Sequence, residues 1–346
     1  MAGWMQTAFL VFFGAIALVL LPGCDTEAAI DLLERTAQAP APPTASIPGR
    51  SAEQPVAVEP ARRPVVGRNR AMLRVGTFNI QSFGPTKSSR PQSMAVLADL
   101  LTRFDVLAVQ EIRTVDGTLF ERLVAQANAA AARNGQTGSR FEFLVGPRLG
   151  RTSSKEQYAY VWDASRVELI PESVYTLRDT HEDFHREPLV ATFQTRATSG
   201  PQPFRFTLIN IHTDPDEIDW ELDRLDDVMR AIAGSPAGED DLILLGDFNA
   251  DDAHLGELGQ MRHITPLLRA TATNTRKTAM YDNLVIHRVY TSEWSGESGV
   301  IDFAAEYGLD RAAALEVSDH LPVWADFYPS ENAGNRLATQ PGAVIR

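Results

Sequence analysis

Between Leu73 and Phe327 the chain is a series of short apolar runs, and most of them begin or end on a polar side chain. The runs are Leu73–Ile80, Val106–Glu111, Phe141–Val145, Tyr158–Trp162, Leu189–Gln194, Arg205–His212, Asp241–Asp247, Asn283–His287 and Val323–Phe327. Their lengths and their β-branched and aromatic content predict strands. Ser89–Arg103, Leu119–Arg133 and Asp216–Ala233 read as helices instead. In the last, Ile218, Leu222, Leu225 and Met229 recur at helical spacing with acids and arginines between them. Strands interspersed with helices predict an α/β body, and this many strands suit two sheets packed together.

The polar ends carry the functional information. Asn79 closes LRVGTFNI, Glu111 closes DVLAVQE, His212 closes FTLINIH, and Asp247 and Asn249 close LILLGDFN. Asp282 opens DNLVI, and Asp319 and His320 precede LPVWADF. A single acid at a strand end is ordinarily a turn former. A succession of Asn, Glu, His, Asp and Asp/His at strand ends is not explained by turns, and such ends are where sheet enzymes present side chains to a ligand.

Residue type narrows the chemistry. Oxygen donors without thiolates favour Mg²⁺, Mn²⁺ or Ca²⁺. Two histidines far apart in sequence suit hydrolysis, one activating water and the other protonating a leaving oxygen. A metal with an amide donor such as Asn249 would stabilise charge growing on a phosphoryl oxygen. There is no Gly-rich phosphate loop, no nucleophile elbow and no HExxH, so nucleotide-triphosphate hydrolase, serine esterase and zinc-protease readings have no carrier. A formal net charge of -13 argues against a protein that coats nucleic acid through a broad basic face. It does not exclude a nuclease whose bound cation meets the phosphate.

TFN, QE, INIH, GDFN and SDHLPV, in that order, resemble the endonuclease/exonuclease/phosphatase superfamily, over nearly the whole of Leu73–Phe327. Leu149–Tyr158 (LGRTSSKEQY), Gln110–Arg113 (QEIR), Arg186–Pro188 (REP) and Tyr281–Asp282 resemble segments of the deoxyribonuclease I family within it. The resemblance implies a four-layer sandwich of two β-sheets flanked by helices, and cleavage of DNA phosphodiesters. It implies that Glu111 ligates the cation with Asn79 and Asp319 close by. His212 would be one acid/base group oriented by Glu156, and His320 the other oriented by Asp282. Asp247 and Asn249 would position the water or the scissile phosphate, and Arg186 would support the phosphate. Arg113 and Arg151 match positions that meet DNA in the minor groove. Thr273 and Thr275 are candidates for touching phosphate.

Ser154 stands where family members often carry an aromatic that stacks on sugar. The loop TLRDTHEDFHREP lacks the cysteines of its family counterpart, and its Asp179, Asp183 and Glu187 read as a plain acidic loop rather than a Ca²⁺ site. His181 and His185 are expected to be solvated there, and His254, His263 and His287 have no assigned role.

Outside this body, Ala8–Leu21 is apolar and shorter than the ~20 residues of a membrane span, as in a signal peptide. Leu21–Cys24 (LPGC) follows at once and resembles a lipobox, which would make Cys24 the lipidated residue. Residues 1–24 thus read as an export signal, 25–70 as a tether that is Pro- and Ala-rich from Ala37, 71–329 as the catalytic domain and 330–346 as a loose tail. The expectation is an exported monomer, either a membrane-anchored lipoprotein in the periplasm or at the cell surface or a secreted protein, acting on DNA with Mg²⁺, or alternatively Mn²⁺ or Ca²⁺. Two other readings stay open: a phosphodiesterase or phosphatase of the same fold acting on phospholipid head groups or sugar phosphates, and an inactive, tethered DNA-binding module.

Overall fold

The computed structural model describes residues 68–196, 202–234 and 239–331; Cys24, the tether up to residue 67 and the tail from 332 onward lie outside them. The strands are β1 (Leu73–Phe83), β2 (Val106–Ile112), β3 (Phe141–Val145), β4 (Gln157–Asp163), β5 (Val167–Leu169), β6 (Tyr175–Thr176), β7 (Leu189–Thr195), β8 (Arg205–His212), β9 (Leu242–Asp247), β10 (Ile264–Pro266), β11 (Asp282–His287), β12 (Trp294–Val300) and β13 (Val323–Phe327). They form a six-stranded sheet, β12-β13-β1-β2-β4-β3, and a seven-stranded sheet, β10-β11-β9-β8-β7-β5 with β6 paired to β7.

Three buried apolar clusters separate four layers. Leu73, Val75, Tyr158 and Tyr160 of the first sheet meet Phe193, Leu208, Ile243 and Leu245 of the second in the central one. Helices Pro91–Leu101 and Thr118–Arg133 cover the outer face of the first sheet. Helix Ile218–Ala233 lays Leu222, Leu225, Val228 and Met229 on the outer face of the second. The central strands alternate their side chains between two buried faces, which is why their apolar runs in the sequence are nearly continuous. The architecture is the expected α/β sandwich.

The differences from the sequence reading have local causes. The helix expected over Ser89–Arg103 runs only from Pro91 to Leu101: a separate short helix, Pro85–Ser88, precedes it, and Arg90 between them is extended. Proline has no amide hydrogen and excludes helical geometry from the residue before it. β12 (WSGESGV) was unexpected because its small and polar residues lack a strand pattern; it is an edge strand held by β13. β5, β6 and β10, of two or three residues each, are too short to show a period. Helices Phe303–Glu306 and Arg311–Val317 were also unexpected, and Asp302 and Asp310 cap them by accepting from Ala305 and Ala313 amides.

Candidate active site

Sheet register assembles the first row of the site. β8 and β9 are parallel with His212 opposite Asp247, and β9 and β11 are antiparallel with Asp247 opposite Asp282. The three side chains therefore stand side by side across three strands. β8 and β9 approach closely there: a Cβ on Gly246 would lie 1.9 Å from the Ile211 carbonyl oxygen, and the residue has φ +150°, so only glycine fits in GDFN.

The first sheet supplies the rest. Asn79 on β1 donates from Nδ2 to Glu111 Oε1 (3.1 Å) and to Asp247 Oδ2 (2.9 Å), linking the two sheets through one amide. Glu111 has φ +61°, at an irregularity between β1 and β2, and Gln81, Ser82 and Asn249 around it also have positive φ. Non-glycine residues pay for this conformation, and such strain concentrates at functional sites. The Ser82 amide and hydroxyl both donate to Glu111 Oε2 (2.8 and 3.2 Å).

Two imidazole–carboxylate pairs face one another across Asp247. His212 Nδ1 is 2.6 Å from Glu156 Oε1, and His320 Nδ1 is 2.9 Å from Asp282 Oδ2. Their Nε2 atoms lie 3.6 and 3.5 Å from the same oxygen, Asp247 Oδ2. All five residues are buried, and each carboxylate holds its ring by Nδ1 so that Nε2 is presented at the centre.

Burial by itself would depress both imidazoles, but the facing carboxylates outweigh it. His212 is raised above the ordinary value by Glu156 and Asp247, with Arg186 pulling the other way. His320 is raised well above it by Asp282 and Asp247. Glu111 is held below the usual carboxylate range: burial pushes it up, but His212, Arg113, Asn79 and Ser82 prevail.

The other expected residues fall into place unevenly. Arg113 is partly exposed, with Nη2 3.0 Å from Glu111 Oε2 and Nη1 3.3 Å from the Ser154 hydroxyl. Arg151 lies farther out, paired with Glu217. Arg186 is buried behind Glu156: Nε is 3.2 Å from Glu156 Oε1 and donates to the His212 carbonyl (3.1 Å), while Nη2 donates to the Thr213 carbonyl (3.0 Å). Any support it gives a phosphate passes through Glu156. Asn249 donates to the same Thr213 carbonyl (2.9 Å). Thr273 is fully buried and bonds Asp282 Oδ2 (2.7 Å), and Thr275 bonds the Ser318 carbonyl (2.7 Å). Both brace the His320 side of the site, so the expectation that Thr273 touches phosphate is corrected by its burial.

His185 is likewise not a solvated loop residue. Its side chain is 10% exposed, Nδ1 is 3.3 Å from Asp214 Oδ2, and its amide donates to Glu221 Oε1 (2.6 Å). The acidic loop closes on itself, with Asp179 accepting from the His181 and Phe184 amides and Asp183 3.4 Å from Arg224. Sequence reasoning also missed Lys87. Its buried ammonium donates to the Ile80 and Val317 carbonyls (2.9 and 2.6 Å), and burial lowers it to about 8 against the opposing charges of Asp319 and Glu111. No period or motif marks a lysine that is buried by contacts so distant in sequence.

The donor set fits a hard divalent cation. Asp282 Oδ1 and Asp319 Oδ1 are buried carboxylate oxygens without a hydrogen-bond partner. Donor atoms of Asp247, Asp282 and His320 also gather within 4.8 Å of one another. Buried, unmatched anionic oxygens call for positive charge. An open groove of about 1190 Å³ starts beside this centre at Asn249 and Tyr281, and Asp216, Asp219, Asp251 and Asp252 make its lining acidic.

A model of the endonuclease/exonuclease/phosphatase family matches residues 76–320, which takes in every one of these site residues. The chain belongs to that family. Its relatives place it with the deoxyribonuclease I members. It is 31% identical over 281 residues to human deoxyribonuclease-1-like 2, covering 73% of this chain and 91% of that one. With bovine deoxyribonuclease-1 it shares 28% over 267 residues, covering 72% and 90%. The sulfate-bound catalytic domain of human nocturnin aligns over 75% of this chain and 95% of that one, with a TM-score of 0.49 and 15% identity.

Proposed function

We propose that this chain is an exported, divalent-cation-dependent endonuclease that hydrolyses DNA phosphodiester bonds. The observation that carries the reading is the pair of carboxylate-held imidazoles whose Nε2 atoms converge on one Asp247 oxygen. That arrangement suits a phosphodiester placed between them. His320, which keeps its proton most firmly, donates to the leaving oxygen; His212, held less strongly protonated beside Arg186, takes the proton of the attacking water. Asp247 and Asn79 fix the spacing between the two rings. Glu111 with Asn79 and Asp319 would hold the cation, which when bound supplies positive charge to the phosphoryl oxygens.

DNA as the substrate is supported by deoxyribonuclease relatives over most of the chain and by Arg113 at the rim of the site. The acidic groove alongside would repel a long polyanion, which keeps small phosphodiesters and phospholipid head groups as the competing substrates. Export and lipidation at Cys24 rest on Ala8–Cys24 alone. No helix among the described residues is long and apolar enough to cross a membrane.

The test is nicking of supercoiled plasmid by the purified protein, with sphingomyelin and inositol phosphates assayed in parallel. Nicking in Mg²⁺ or Mn²⁺ that stops with chelator is expected. Turnover of either small substrate with none of DNA would overturn the DNA reading, and DNA binding without cleavage under any divalent ion would overturn the enzymatic one.

A further inference from the structure

A second cluster of carboxylates lies at the other end of the strand that carries Asp247. Asp241 immediately precedes β9, so about six residues of strand, or ~20 Å, separate it from Asp247. Glu293 precedes β12 and Glu331 follows β13. One donor oxygen from each of Asp241, Glu293 and Glu331 lies within 4.8 Å of the others. Asp241 is 5% exposed and Glu293 2% exposed.

Among the described residues nothing neutralises Asp241. Its Oδ1 is buried and has no hydrogen-bond partner, and among the described residues no cationic side chain forms an ion pair with it. The Arg205 guanidinium is 3.3 Å from Glu239 Oε2. Burial, and then Glu293, Glu331, Glu239 and Asp240, push the Asp241 carboxyl up to about 10. A buried site of this kind is filled by a proton or by a cation.

Geometry favours the cation. Ca²⁺ binds six to eight oxygens at 2.3–2.6 Å, so two ligand oxygens on opposite sides of it stand up to about 5 Å apart. Donor oxygens of three carboxylates from three separate chain segments, all within 4.8 Å of one another, fit inside that span. A proton shared between two carboxyls would not draw in the third.

We propose that Asp241, Glu293 and Glu331 form a structural Ca²⁺ site that fastens the two sheets together at the end remote from catalysis. Asp241 belongs to the second sheet, Glu293 to the crossing from β11 to β12, and Glu331 to the segment leaving β13 of the first. That last segment already touches the second sheet, where the Phe204 amide and the Thr195 hydroxyl both donate to the Pro329 carbonyl (3.2 and 2.7 Å). A cation here would complete the clasp, and it does not depend on what the active site hydrolyses.

The full chain is titrated with Ca²⁺ by equilibrium dialysis, and its thermal midpoint is recorded in EDTA and in Ca²⁺. Wild type, Asp241→Asn, Glu293→Gln and the active-site variant Glu111→Gln are compared. Asp241→Asn and Glu293→Gln should each bind one ion fewer than wild type and lose most of the Ca²⁺-dependent rise in midpoint, while Glu111→Gln keeps that rise. In EDTA both should melt at or above the wild-type temperature, because a neutral amide removes repulsion. Equal stoichiometry and an equal rise in Asp241→Asn and wild type would overturn the site in favour of a shared proton. Failure of both variants to fold in EDTA would overturn it too, since the uncharged side chains would then be missing something other than a cation.

Discussion

The two halves of the active site are built alike and loaded differently. Each is a histidine whose Nδ1 is held by a carboxylate from the opposite sheet: Glu156 precedes β4 of the first sheet and holds His212 of the second, whereas Asp282 of the second holds His320 of the first. Behind Glu156 stands the Arg186 guanidinium, with Arg113 3.8 Å from its other oxygen. Behind Asp282 stands the neutral Thr273 hydroxyl instead. Positive charge behind one carboxylate weakens its hold on a proton through the ring; its absence behind the other strengthens it. A pair of like motifs thereby becomes a base and an acid.

The largest effects should come from deleting either ring. His212→Ala and His320→Ala should each slow DNA nicking by about 10²-fold or more, as expected for lost general acid–base catalysis. Wild-type rates in either variant would remove that histidine from the mechanism. Replacing the holding carboxylates, as Glu156→Gln or Asp282→Asn, leaves the rings present but poorly oriented, and about 10–100-fold should be lost in kcat with little change in KM.

Arg186→Met probes the difference between the halves. With the guanidinium gone, His212 should hold its proton more tightly, so the rising limb of the pH–rate profile should move to higher pH. The falling limb, set by His320, should stay in place. Breaking this buried ion pair should also cost about 3 kcal/mol of stability, read as a lower denaturant midpoint. An unmoved rising limb would show that the asymmetry has another origin. Because the folded-state value of His320 is raised, its stabilising contribution is complete below the ordinary imidazole value and is lost as pH rises through the folded value. His320→Ala should flatten that part of the stability curve. Thr273→Val is expected to have the smallest effect, a few-fold in rate, consistent with about 1 kcal/mol for one hydrogen bond to Asp282.

What the sequence revealed follows from where information is local. Strand runs show as apolar stretches because both faces of each sheet are covered, and His212, Asp247, Asp282 and His320 stand out because they interrupt those runs at their ends. The break at Pro91 could be read from one residue, whereas the edge strand Trp294–Val300 could not, since it is held by pairing with β13 rather than by its own composition. The support of the site was largely hidden. Arg186 meets the His212 carbonyl 26 positions away, and Lys87 meets the Val317 carbonyl 230 positions away. Asp241 looked like the first residue of a strand, and only tertiary structure brings Glu293 and Glu331 to it.

The assignment of acid and base is tested most directly by a substrate that needs only one of them. A p-nitrophenyl phosphodiester expels a leaving group stable without a proton, so on it His320→Ala should turn over at close to the wild-type rate while His212→Ala stays about 10²-fold slow. Equal losses in both variants on this substrate, or rescue of His212→Ala instead, would contradict the division of labour between the two halves of the site.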